Sequence, residues 1–135
     1  MLKSSCFIIF SLLLIKCKQS SGHFIHDHWL MTTDFHEMTF REDSTMTWII
    51  KQQFLDDTFK AHYKLDDSKN PKWIDLYQFN KGLMRGKILT GIYETHGQDT
   101  LLLDFQPVED WIEADTSRPK EFNEIEKRYL VRRSK

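Results

Sequence analysis

Apolar and polar residues alternate with a period of two through much of the chain. That is the repeat of a half-buried β-strand, not of a helix. The clearest run sets Phe59, Ala61, Tyr63 and Leu65 against Lys60, His62, Lys64 and Asp66. It predicts that the first set faces an interior and that Lys60, His62 and Lys64 face water. Met46, Trp48 and Ile50 alternate with Thr45, Thr47 and Ile49, and Met38 and Phe40 with Glu37, Thr39 and Arg41. Leu101, Leu103 and Phe105 point one way, and Leu102, Asp104 and Gln106 the other. Near the end Tyr129 and Val131 alternate with Arg128, Leu130 and Arg132, which predicts a strand whose basic side is solvated. Residues 24–31, 73–79 and 87–94 supply further strands, about eight in all.

Turn signals separate these runs: Glu42-Asp43-Ser44, the segment 66–71 closed by Pro71, the segment from Gly82 to Gly86, and His96-Gly97-Gln98-Asp99. Short loops between consecutive strands fit an antiparallel up-and-down meander. Closing the meander into a barrel removes its exposed edges. One stretch breaks the period. Residues 107–115 place Val108, Trp111 and Ile112 at helical spacing after Pro107, with Glu109 and Asp110 in the first turn. This predicts a short helix or lid in the long connection before the last strand. Trp111 would be its main anchor over one end of the barrel, and Arg118 would sit beside Glu121 or acids of the rim.

The N-terminus has a different character. After Lys3, residues 6–15 (CFIIFSLLLI) are apolar apart from Ser11. That is about half the roughly 20 residues needed to span a bilayer, and the length of a signal-peptide core. Residues 1–22 are therefore expected to be a signal peptide and residues 23–135 the folded domain. Two processing routes stay open: lipidation at Cys17 in the manner of a bacterial lipoprotein, with Lys16 at the usually small preceding position, or cleavage after Gly22. The expected location is exported: periplasmic, secreted or lipid-anchored at the cell envelope, with membrane attachment only through Cys17.

The whole chain of 135 residues carries a formal charge of −1, and removing residues 1–22 leaves sixteen Lys and Arg against twenty Asp and Glu. A charge of −4 gives no electrostatic reason to seek phosphate, so a nucleic-acid partner is not expected. Both cysteines, Cys6 and Cys17, lie in the leader, so the domain must hold by core packing without disulfides.

From residue 59 to the C-terminus the order of several motifs resembles that of a family of small exported bacterial domains, abundant in planctomycetes, of uncharacterised function and lipocalin-like appearance. The carrying residues are Tyr63-Lys64-Leu65-Asp66, Ser68-Lys69-Asn70-Pro71-Lys72, Ile74-Asp75-Leu76, Gly86-Lys87, Gly91-Ile92-Tyr93-Glu94, Asp99-Thr100-Leu101, and Arg118-Pro119 followed by Glu121-Phe122. The resemblance implies an all-β, eight-stranded, lipocalin-like barrel and no particular activity. It also implies that Trp29, in Asp27-His28-Trp29, plugs the barrel base beneath Arg132 or Arg133, a cation–π arrangement.

Candidate chemistry is sparse. His23, His26 and His28 form a weak metal-binding cluster that Asp27 or His36 would have to complete. Adjacent acids such as Asp56-Asp57, Asp66-Asp67 and Glu109-Asp110 point to opposite faces of a strand or sit in turns, which suits neither general acid nor base. The sequence contains no G-x-S-x-G, Walker or G-x-G-x-x-G motif. The expected protein is therefore a non-enzymatic monomer without cofactor. It would bind a small apolar ligand or an envelope partner protein, with Trp48, Ile50, Phe59, Tyr63 and Trp111 as ligand-contacting residues. The alternatives are a filled barrel acting as a structural or interaction module, and a small metal-dependent enzyme using the histidines.

Overall fold

The computed structural model describes residues 25–31, 35–106 and 118–133. Eight strands follow one another along the chain: β1 (His28–Met31), β2 (His36–Phe40), β3 (Thr45–Ile50), β4 (Asp57–Asp66), β5 (Lys72–Tyr77), β6 (Leu89–His96), β7 (Thr100–Phe105) and β8 (Arg128–Arg132). Each pairs antiparallel with the next, and β8 pairs with β1. The result is a closed up-and-down barrel with no open edge, an all-β, lipocalin-like architecture. Among the described residues no helix is long and apolar enough to cross a membrane. The expected short helix at 107–115, with Trp111 and Ile112, lies outside the described residues.

The period of two read from β4 is the wall of the barrel. Phe59, Ala61 and Tyr63 are buried in the interior, and Lys60 and Lys64 are exposed. Register carries this parity around the sheet: Trp48 opposes Phe59, Met46 opposes Ala61, and Tyr63 opposes Leu76. Trp29, Met38, Phe40, Ile74, Tyr93, Leu101, Leu103 and Leu130 complete a continuous core. So many large side chains need small neighbours. At Gly91 an added Cβ would lie 2.5 Å from the Phe105 ring and 2.6 Å from the Asp104 carbonyl, so glycine there lets β6 and β7 approach.

One facing and one burial differ from expectation. In β8 it is Leu130 that points inward and is fully buried, while Tyr129 and Val131 lie exposed on the outer wall. Arg128 and Arg132 share Leu130's parity, so the basic residues are not the strand's outer side. Arg132 can take this position because it is at the very end of the barrel, where its guanidinium stacks over Trp29 at 5.1 Å and pairs with Asp27 at 3.2 Å. On β6 and β7 the outer side is buried as well: Thr90, Ile92, Leu102, Asp104 and Gln106 are all shielded from solvent.

The described part of the β7–β8 connection runs along this outer wall. Arg118 is nearly buried there. It donates to the Gly91 carbonyl at 2.7 Å and to Asp75 at 2.6 Å, and stacks over Trp73 at 4.3 Å. Its partner is thus Asp75 on β5, not Glu121. Farther on, the Asn123 N–H donates to Asp104 at 2.7 Å.

Candidate functional site

The barrel has two unlike ends. At one, which we term the turn end, the hairpins are short: residues 41–44, 67–71 and 97–99. Asp43 organises the first by accepting from the Thr45 N–H and hydroxyl, which holds its carboxyl below the usual range, while Ser44 adopts a left-handed φ of 63°. The floor of this end is sealed by Ile25 and Trp29, both fully buried, and the Trp29 indole donates to the Ile25 carbonyl at 2.9 Å.

Tyr63 belongs to this sealed end. Its hydroxyl donates to the Arg41 carbonyl at 2.6 Å, and its ring meets Phe40 edge-on at 5.1 Å. Burial, with Asp43 and Glu42 adding to it, pushes the phenol up to about 12. With its proton committed to the backbone, the phenol is not free to donate to a ligand.

At the opposite, loop end the strands are joined by residues 32–35, 51–56, 78–88 and 106–127. Trp48, Ile50 and Phe59 meet below these loops. The rings of Trp48 and Phe59 are 6.3 Å apart, and His36 packs edge-on against Trp48 at 5.6 Å. Phe79 and Met84 fold inward from the β5–β6 loop and are buried, while Trp48 and Ile50 stay partly accessible. The Trp48 Nε1–H is buried and has no hydrogen-bond acceptor among the described residues. A buried donor left unmatched costs about 1–3 kcal/mol, so this indole is the most conspicuous polar group of the mouth.

The loops above are held by polar contacts between neighbours. The Lys51 N–H donates to the Phe35 carbonyl at 2.7 Å, Lys51 pairs with Asp56 at 3.0 Å, and Lys81 pairs with Asp57 and stands over the Phe59 ring. Asn80 exchanges hydrogen bonds with the backbone of Lys60. Large apolar side chains nonetheless remain in water on these loops: Phe35, Phe54, Leu55, Leu83, Ile88 and Ile125.

Of the residues expected to contact a ligand, the structure brings together Trp48, Ile50 and Phe59 and sets Tyr63 apart at the sealed end. Trp111 lies outside the described residues, as do Cys17 and His23. His26 and His28 do not converge: His26 lies 6.3 Å from the Tyr63 ring, and His28 bonds Glu37 at 3.0 Å on the outer wall. Among the described residues no three His, Cys, Asp or Glu side chains are placed to hold a metal ion. The apolar loop tips are absent from the sequence-based set, and His36 was named there only as a possible metal ligand. Leu83 between Gly82 and Met84, and Phe54-Leu55 inside a polar loop, were the available signals.

The fold class is therefore that of closed, antiparallel, up-and-down barrels, plugged at the turn end. No protein-family model matches the chain, and neither curated proteins nor solved structures give a significant match.

Proposed function

We propose that this chain is a non-catalytic binding protein whose loop end takes a small apolar molecule carrying a hydrogen-bond acceptor. The observation that carries the reading is the unmatched Trp48 N–H beside Ile50 and Phe59. Apolar pockets with a few placed polar groups are the usual form of a small-molecule site. A carbonyl or carboxylate oxygen on the ligand would accept from Trp48 while its hydrocarbon portion packed on Ile50 and Phe59. Because core side chains fill the barrel from the turn end upward, the ligand would lie in the mouth and not deep in the barrel. Export through residues 1–22, a role at the cell envelope, a monomeric state, and membership of the family resembled by residues 59 onward belong to the same proposal. They rest on the sequence.

Calorimetric titration with dodecanoate and with dodecane tests this. Saturable binding of the carboxylate, weakened at least tenfold in Trp48→Phe, is the expected result, since losing one buried hydrogen bond of about 1.4 kcal/mol corresponds to a factor of ten. No saturable binding, or equal binding by the wild type and Trp48→Phe, would remove the reading.

A further inference from the structure

The outer wall of β7 holds a polar group that neither the core nor the mouth uses. Alternation assigns Asp104 to water, yet it is only 1% exposed, because the returning chain at 118–127 lies against it. Its Oδ2 accepts from the Asn123 N–H, and its Oδ1 is buried with no hydrogen-bond partner among the described residues. Asp104 lines a cavity of about 260 Å³ between β7 and that returning chain. Phe105, Pro119 and Phe122 form half-buried apolar sides, and Glu121 and Glu126 stand exposed at the rim.

Three carboxylates and no cationic side chain line this cavity. The neighbouring bases are engaged elsewhere. Arg118 pairs with Asp75, Lys127 pairs with Glu124, and Arg128 donates to the Glu126 carbonyl at 2.7 Å. Lys120 is exposed and lines the adjoining groove beside Trp73. Residues 107–117, joined in the chain to Phe105 and Pro119 through Gln106 and Arg118, add Glu109, Asp110, Glu113 and Asp115 and no base. The local field therefore attracts cations. Spacing and walls indicate which kind. Among the described residues no three carboxylates converge to hold a metal ion, and hard ions take their ligand shell from oxygen. Two phenyl rings and a proline suit instead a cation with a hydrocarbon stem, whose head meets ring faces and carboxylates together. At about 260 Å³ the cavity is smaller than the roughly 300–1,000 Å³ of sites for drug-sized ligands, so it fits one short chain.

We propose that this outer-wall cavity binds the ammonium head of a primary alkylamine, with Asp104 Oδ1 as its buried acceptor, Glu121 and Glu126 as rim partners, and the alkyl stem against Phe105 and Phe122. Oδ1 is covered in the structure, so the head reaches it as the exposed rim side chains swing aside. The same chemistry is offered by a free amine and by a lysine side chain of a partner protein. The site shares no residue with the mouth and does not depend on Trp48.

Amide NMR of the full chain at neutral pH, titrated with butylammonium, tests this, because the Asn123 N–H bonded to Asp104 reports on the carboxyl directly. Saturable shifts at Asp104, Phe105 and residues 119–126 are expected with butylammonium and not with butanol, its neutral counterpart. Asp104→Asn should weaken binding by about tenfold or more, through the loss of one charge-assisted hydrogen bond, and Glu126→Gln by less. Unshifted resonances of β3 and β4 will show that both variants fold. Trp48→Phe should bind the amine normally, so failure at this site and failure at the mouth are separable. N-acetyl-lysine methylamide decides the source. Binding as tight as that of butylammonium assigns the cavity to a partner's lysine, and binding of butylammonium alone assigns it to a free amine. No saturable shift, equal shifts with butanol, or an affinity unchanged in Asp104→Asn would overturn the proposal. Calcium chloride that produced the same Asp104-dependent shifts at lower concentration than the amine would also overturn it, by making the cavity a metal site.

Discussion

Tyr63 shows how one side chain can serve the core and a turn together. Its ring fills the interior beside Phe40, and its hydroxyl satisfies the Arg41 carbonyl of the β2–β3 hairpin. Tyr63→Ala should cost about 3–5 kcal/mol in urea unfolding, as for other buried aromatic truncations. Tyr63→Phe should cost about 1–2 kcal/mol, because only the hydrogen bond is lost. The folded-state phenol is raised above its ordinary 10 to about 12, so its contribution is full below pH 10 and lost as pH rises towards 12. The gap between wild type and Tyr63→Phe should therefore narrow in that alkaline window. Asp104 presents the converse problem. One oxygen accepts from the Asn123 N–H, the other is buried without a partner, and burial raises the carboxyl above its ordinary 3.8. The folded state holds this proton more tightly than the unfolded state, so Asp104 lowers stability as pH rises through the raised value. Asp104→Asn should be at least as stable as wild type at neutral pH, with the advantage vanishing at low pH. Urea midpoints that differ equally at every pH would contradict this.

The alternation of β4 was legible because its outer residues are charged and its inner ones are not. In β8 the same logic misled, since Arg, Tyr, Leu, Val and Arg contain apolar residues of both parities. Pairing resolves the ambiguity: Leu130 lies opposite Leu101 on β7 and Met31 on β1, two inward positions. Leu130→Ala should therefore cost about 2–5 kcal/mol, and Tyr129→Ala less than about 1 kcal/mol. Chemical denaturation of the two variants decides the register, because a one-residue slip would exchange the two costs. The β6 and β7 strands were harder to read for another reason. Their outer faces are buried too, so Ile92 and Leu102 are apolar on the side that simple alternation assigns to water.

At the scale of the whole molecule, Arg118 ties the described part of the β7–β8 connection, residues 118–127, to the wall. Its guanidinium is shielded, bonded to Asp75 and Gly91 and stacked on Trp73. Arg118→Met should release this segment and leave Asp75 without its cation. Breaking a shielded pair costs about 3–5 kcal/mol when no other group compensates. The expected readout is faster proteolysis within residues 118–127 while the barrel strands stay protected. Proteolysis that proceeds at the wild-type rate would show that other contacts anchor the connection.

The sequence by itself determined the number of strands, their order and most of their inward faces, and left open whether Arg132 or Arg133 would cover Trp29. These follow from periodicity, turn residues and a family resemblance, all of them local or ordered along the chain. Only the tertiary structure decided that Tyr63 and Trp48, both inward, lie at opposite ends. Only it decided that Arg118 seeks Asp75, forty-three positions away in the chain. The loop end, too, emerged from topology: Phe35, Phe54, Leu55, Leu83 and Ile88 come from three separate connections and share one end because every second turn of an up-and-down barrel must. Which apolar residue is core and which is surface depends on what closes above it, and in a closed barrel that is settled by partners distant in sequence.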